Sequence, residues 1–188
     1  MLPVLVGGGI ILVFIIAMIV IRNGVIAKKN KTEEAFSDID VQMKKRFDLI
    51  PNLVETVKAY MKHEKDTLVE LTRLRTQAMS GGLSANEQIQ VANKVNRMGR
   101  GLMFQMENYP DLKASKNFLQ LQSSWNEVEE QLSASRRFYN AAVNDYNNAL
   151  EQFPSNIFAR QLHYYEKEYI EIPAEERKNI SAKDMFAV

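Results

Sequence analysis

The first charged residue in this chain is Arg22. Ahead of it, Leu2 to Ile21 is an unbroken run of twenty uncharged, predominantly apolar residues. At 1.5 Å per residue a helix of that length spans about 30 Å, the thickness of a bilayer's hydrocarbon core. Every face of the segment is apolar, so a helix here has no side to turn towards water. Gly7, Gly8 and Gly9 lie near its start. Glycine is tolerated in membrane helices and lets two of them approach closely. A cleaved secretory signal carries basic residues ahead of a shorter apolar core. This run has no charged side chain before it and is longer, so residues 1–22 read as a membrane anchor.

Arg22, Lys28, Lys29 and Lys31 follow the run, and no acidic residue precedes Glu33. A basic flank suits anionic headgroups and favours the cytoplasmic side. The short N terminus is then expected outside and the domain from residue 23 inside. The absence of cysteine agrees with a reducing compartment. A formal net charge of +1 argues against a nucleic-acid reader, so no nucleic-acid partner is expected. Membrane lipids are the expected partner of the four basic residues.

Beyond the anchor, proline and glycine are sparse, which leaves long segments free to be helical. From Phe36 the spacing 4-3-4-3 passes through Met43, Phe47, Ile50, Val54, Val57, Met61, Leu68, Leu71 and Ala78, the stripe of a long amphipathic helix. The stripe runs through Pro51 without losing phase. A kinked continuous helix is the better reading, with the carbonyl of Phe47 left short of its bond because proline has no N–H. A fresh segment capped by Asp48 is the alternative.

Ser80-Gly81-Gly82 stops this helix, and Ser84 with Glu87 fits a capping box for the next. The second stripe is Ile89, Ala92, Val95, Gly99, Leu102, Met106 and Tyr109. Gly99 and Gly101 each cost about 1 kcal/mol against alanine in a helix. Either the helix is simply weakened, or a bulky neighbour such as Trp125 approaches closely. Asn108-Tyr109-Pro110-Asp111 reads as a turn. The third stripe runs Phe118, Leu121, Trp125, Val128, Leu132, Ser135, Tyr139, Ala142, Tyr146, Ala149, Phe153. Pro154 ends that helix, and Ser155 is a candidate cap for a short fourth one through Leu162. The tail from Glu166 is expected to be mostly irregular, with a small apolar patch at Met185 to Val188. The fold class is therefore all-α: an N-terminal transmembrane helix, then an antiparallel bundle of three long helices and one short helix over residues 23–165, then a tail over 166–188.

A first soluble helix continuous from Lys31 to Met79 would be about 70 Å long, and the second only about 36 Å. The second cannot cover Phe36, Ile39, Met43 and Phe47. Either the third helix folds back over them or a neighbouring subunit does. These four residues are the candidate homo-oligomer interface.

Catalytic chemistry is hard to assemble from this chain. His63 and His163 are its two histidines, and His63-Glu64 lacks the second histidine of a zinc-protease helix. Gly81-Gly82 is followed by no phosphate-loop lysine. No enzyme, metal or cofactor is expected. Glu64 on the apolar stripe is expected to pair with a basic residue of another helix, as are Arg136 and Arg137 with acids of the first. Asn140, Asn144 and Asn147 share a face of the third helix, and asparagine so placed commonly fixes helix register.

Four collinear segments resemble those of one family. Lys45-Arg46-Phe47-Asp48-Leu49-Ile50-Pro51-Asn52-Leu53-Val54-Glu55-Thr56-Val57-Lys58 resembles the hallmark segment of the LemA family. Tyr109-Pro110-Asp111-Leu112-Lys113-Ala114-Ser115-Lys116-Asn117-Phe118 is similar to its second signature. Arg136-Arg137-Phe138-Tyr139-Asn140, Tyr146-Asn147 and Phe153-Pro154-Ser155-Asn156 resemble the third. The likeness runs from about residue 30 to 165, behind an anchor like the family's, and loosens from about Lys167. It makes Asp48, Pro51, Asn52, Tyr109, Pro110, Arg136, Tyr139, Asn140, Asn147, Phe153 and Pro154 structural motif positions. It implies a bacterial inner-membrane protein whose helical bundle is cytoplasmic. Family members are associated with membrane zinc metalloproteases of the HtpX type, and a relative with magnetosome membranes. The expected function is a non-enzymatic scaffold that self-assembles to organise or remodel the membrane. The alternative is an adaptor for such a protease or another envelope protein.

Overall fold

The computed structural model describes residues 2–58, 60, 64–83, 85–106 and 108–170. His63, Ser84 and the patch at Met185 to Val188 lie outside the described residues. The described structure is all-helical, with α1 Leu2–Lys58, α2 Lys65–Met79, α3 Ala85–Met106, α4 Pro110–Lys113, α5 Lys116–Glu151 and α6 Ser155–Gln161. α1 passes through Pro51 unbroken. It ends at Lys58, so the helix expected from Lys31 to Met79 is two helices. The stripe hid this because Val57 and Leu68 stay in phase across a segment without glycine or proline, and periodicity does not record where one helix ends and the next begins.

The chain divides into two compact units. In the first, α1 up to Asp38 packs with α5 from Ala134, with α6, and with an extended segment over 164–170. Small residues at the seam, Ala35, Ala142 and Ala149, are buried and let the backbones approach. Phe36 meets Tyr139 edge-on, with ring centroids 5.7 Å apart. α5 stops at Glu151, ahead of a cis Phe153–Pro154 bond. Ser155 does not cap α6: the cap position is Pro154, and the Ser155 hydroxyl donates to the carbonyl of Gln152 at 2.9 Å.

In the second unit, α1 from Ile39 packs with α2, α3, α4 and the first half of α5. Its core is the expected stripes: Ile39, Met43, Phe47, Ile50 and Val57 of α1, Leu68, Leu71 and Ala78 of α2, Ala92, Val95, Leu102 and Met106 of α3, and Phe118, Leu121, Trp125, Val128 and Leu132 of α5. Gly81 and Gly82 turn the chain between α2 and α3 at φ of 75° and 86°, a region glycine enters without a Cβ penalty. Gly99 shows why the glycine on the second stripe is there. A Cβ built on it would lie 2.4 Å from two ring carbons of Trp125. Gly101 has no such neighbour.

One charged group sits inside this core. Arg46 is 1% exposed. Its guanidinium donates to the carboxylate of Glu129 and, at 3.5 Å, to the carbonyl of Ala92. Asn96 donates to the other oxygen of Glu129 at 3.0 Å. A charge this deep is tolerated when it is paired and hydrogen-bonded.

Candidate functional site

The apolar anchor is exposed along its length, with Ile10 66% and Phe14 63% exposed, in contrast to the buried stripe that follows on the same helix. At its end Arg22 and Lys28 are exposed. Lys29 binds Glu33 at 2.7 Å, and that contact holds the Glu33 carboxyl below its usual range. The Lys31 ammonium lies 5.6 Å from the centre of the Phe138 ring. Two of the four membrane-surface candidates thus reach protein partners as well.

Phe36, Ile39, Met43 and Phe47 are not an open strip. Ile39, Met43 and Phe47 are buried within the chain, and Phe36 packs on Tyr139. α5 meets Phe36 through Tyr139, while Met43 and Phe47 lie beside Ala78 and Met79 of α2 and Gln88 of α3. In the first unit Phe36 sets the pairing, and in the second Lys45 reaches Gln131 and Arg46 reaches Glu129.

The third signature builds a strap. Asn147 accepts from the backbone N–H of Lys167 and donates to its carbonyl, both at 3.0 Å. Asn140 does the same to Ile170, both at 2.9 Å. The hydroxyls of Tyr146 and Tyr139 donate to the carbonyls of Tyr165 at 3.1 Å and Glu168 at 3.4 Å. The match is one of lengths. Seven residues of helix advance about 10.5 Å, and three residues of extended chain about 10 Å. Tyr-Asn pairs repeated at seven on α5 therefore address every third residue of an extended segment. The Lys167 ammonium then reaches across to the buried Thr32 hydroxyl of α1 at 2.6 Å, while Thr32 donates to the Lys29 carbonyl at 2.7 Å. Burial pushes the Lys167 pKa down. The asparagines thus hold a backbone segment, where sequence suggested helix register. The tail expected to be irregular from Glu166 is non-helical through Ile170, but it is tied down. The visible signal was the repeat of Tyr139-Asn140 at Tyr146-Asn147. Replacing Asn147 with alanine removes two hydrogen bonds, each of about 1 kcal/mol. Hydrogen exchange of the Lys167 and Ile170 amides is expected to speed up while α5 stays protected.

In the second unit, the carbonyl of Phe47 is satisfied from another helix. The Nε–H of Arg75 donates to it at 3.1 Å, in place of the N–H that Pro51 lacks. Arg75→Ala is expected to cost about 1–1.5 kcal/mol, discounted for the part-exposed site. In a Pro51→Ala background the carbonyl regains a helical partner, and the same substitution is expected to cost less. Chemical unfolding of the four proteins gives that coupling.

Beside Pro51 a polar groove of about 350 Å³ is lined by Asn52, Glu55 and Thr56 of α1 and Asn117, Gln120 and Ser124 of α5. Asp48 instead pairs with Lys44 at 2.8 Å. Amides, a hydroxyl and one carboxylate can hydrogen-bond a polar ligand or a peptide. Among the described residues no group of three or more His, Cys, Asp or Glu is placed to hold a metal. Glu64 accepts from Thr67 at 3.2 Å, its own neighbour one turn on, where sequence had suggested a basic partner on another helix. Tyr109 caps α4, and Pro110 occupies its first turn, where a missing N–H costs nothing. The expected turn is thus a one-turn helix that buries Leu112. Arg136 is buried, Phe153 is exposed and Pro154 is half-buried.

These motifs coincide with a known sequence family. The sequence model described as the LemA family matches residues 35–183. The chain belongs to the LemA family. Similar proteins include Protein LemA of Metamycoplasma hominis, 24% identical over 87% of this chain and 75% of its own length. The magnetosome proteins MamQ 2 and MamQ 1 of Paramagnetospirillum magneticum are each 22% identical, over 86% of this chain and 68% of their own length. This LemA-family chain is a membrane-anchored helical protein, and the strap, the Pro51 carbonyl bond and the polar groove are built on its signature segments.

Proposed function

We propose that this LemA-family protein is a non-enzymatic scaffold of the bacterial inner membrane, with its helical domain in the cytoplasm, that self-assembles to organise the bilayer. The observation that carries the reading is the continuity of α1. One helix is exposed and apolar from the anchor outward, then forms the core stripe of the domain, ending at Lys58. A joint without a loop transmits forces between bilayer and domain. The basic residues Arg22 and Lys28 support the cytoplasmic placement. The relatives named as magnetosome proteins support work at a membrane. Self-association is assigned to the anchor, where Gly7, Gly8 and Gly9 carry no side chain and would let two helices pack closely in lipid.

The polar groove beside Pro51 favours a second reading, an adaptor that docks a membrane metalloprotease of the HtpX type or another envelope protein. Crosslinking in cells followed by mass spectrometry separates the two. Self-crosslinks in and near the anchor support the scaffold. One dominant foreign partner, crosslinked at Asn52 and Gln120, supports the adaptor and overturns the scaffold.

A further inference from the structure

Phe153 ends the third stripe in sequence, yet it is 81% exposed, and Ile157 on α6 is 51% exposed. Their neighbours Phe158 and Ala159 are buried, so the α5–α6 corner is packed on one side and apolar on the other. The register of the first unit says where this corner lies. Phe36 of α1 faces Tyr139 of α5 in an antiparallel pair. Fourteen residues towards the N terminus from Phe36 is Arg22, and fourteen towards the C terminus from Tyr139 is Phe153. The α1 path rises by about 21 Å; α5 rises by about 18 Å to its end at Glu151, and Phe153 lies two residues beyond. Phe153 therefore stands level, within a helical turn, with the residue at which the anchor leaves the hydrocarbon.

We propose that Phe153 and Ile157 seat in the headgroup region of the bilayer that holds α1, as a second lipid contact beside the anchor. An aromatic ring and an aliphatic side chain suit that depth. Exposed Arg22 and Arg160 supply positive charge for anionic headgroups at this end of the unit, beside the exposed acid Glu151. Two contacts on one compact unit fix its tilt and rotation on the membrane, which a single helix crossing does not. The proposal rests on the anchor being in the membrane, and the test separates the two.

The chain contains no cysteine, so single nitroxide labels can be placed cleanly on the full-length protein in liposomes of zwitterionic and anionic phospholipid. Labels replace Phe153, Ile157, Phe14 in the anchor and the exposed Tyr165. Collision rates with oxygen and with a water-soluble nickel chelate report depth. At 153 and 157 the oxygen-to-nickel ratio is expected to be several-fold above that at 165 and below that at 14. A ratio at 153 and 157 equal to that at 165, with 14 still in lipid, overturns the proposal and leaves the anchor standing. A water-like label at 14 overturns both. Dipolar broadening at 153, with low access to both reagents, assigns the corner to a second copy and also overturns it.

Discussion

Replacing Glu129 with alanine is expected to destabilise the protein by about 3–5 kcal/mol, the cost of removing one member of a buried ion pair. Arg46 is almost fully buried, and the carboxylate of Glu129 takes hydrogen bonds from both Arg46 and Asn96. Removing the carboxylate takes a charged partner from a guanidinium that is almost fully buried. The pair itself is not a large net gain, because burying both ions cost most of what their attraction returns. Replacing both partners, Arg46→Met with Glu129→Leu, is therefore expected to cost much less than Glu129→Ala alone. Urea unfolding of the detergent-solubilised protein, followed by helical circular dichroism, measures both. A double variant as unstable as the single one would mean that the pair contributes through more than mutual compensation.

Gly99 carries the second large effect. Alanine there places a Cβ 2.4 Å from the Trp125 ring, a distance that forces the buried indole or the α3 backbone to move. Overpacking of this kind costs about 1–3 kcal/mol, against about 1 kcal/mol regained from helix propensity. Gly99→Ala is expected to destabilise by up to about 2 kcal/mol net, and Gly99→Leu by about 3 kcal/mol or more. The sign is the informative part. In a Trp125→Leu background the space opposite Gly99 is open, and alanine is expected to stabilise by up to about 1 kcal/mol. An unchanged penalty in that background would mean that Trp125 is not what excludes the methyl group.

These positions differ in how far the sequence exposed them. Gly99 falls on an apolar stripe where a side chain was expected, and an aromatic stripe lay on another helix to fill the gap. Pro51 announced an unsatisfied carbonyl at Phe47, because the loss of one N–H is local chemistry. The donor, Arg75, lies 28 residues on, and nothing in helix periodicity links the two. Phe36, Ile39, Met43 and Phe47 were visible as apolar, but the surface that covers them depended on helix lengths. Treating Lys31 to Met79 as one helix left them seemingly uncovered. The strap over 164–170 has no periodicity, so only the Tyr-Asn repeat on α5 hinted at it. Phe153 kept the phase of a stripe whose helix had already ended at Glu151, and so read as core while standing in the open.

The scaffold reading is tested most directly by the mass of the full-length particle in lipid nanodiscs, measured molecule by molecule over a range of protein-to-lipid ratios. Self-assembly predicts particles holding several copies of the 21.6 kDa chain, reverting towards single copies when Gly8 is replaced by isoleucine. Single copies throughout, whatever residue stands at position 8, would contradict it.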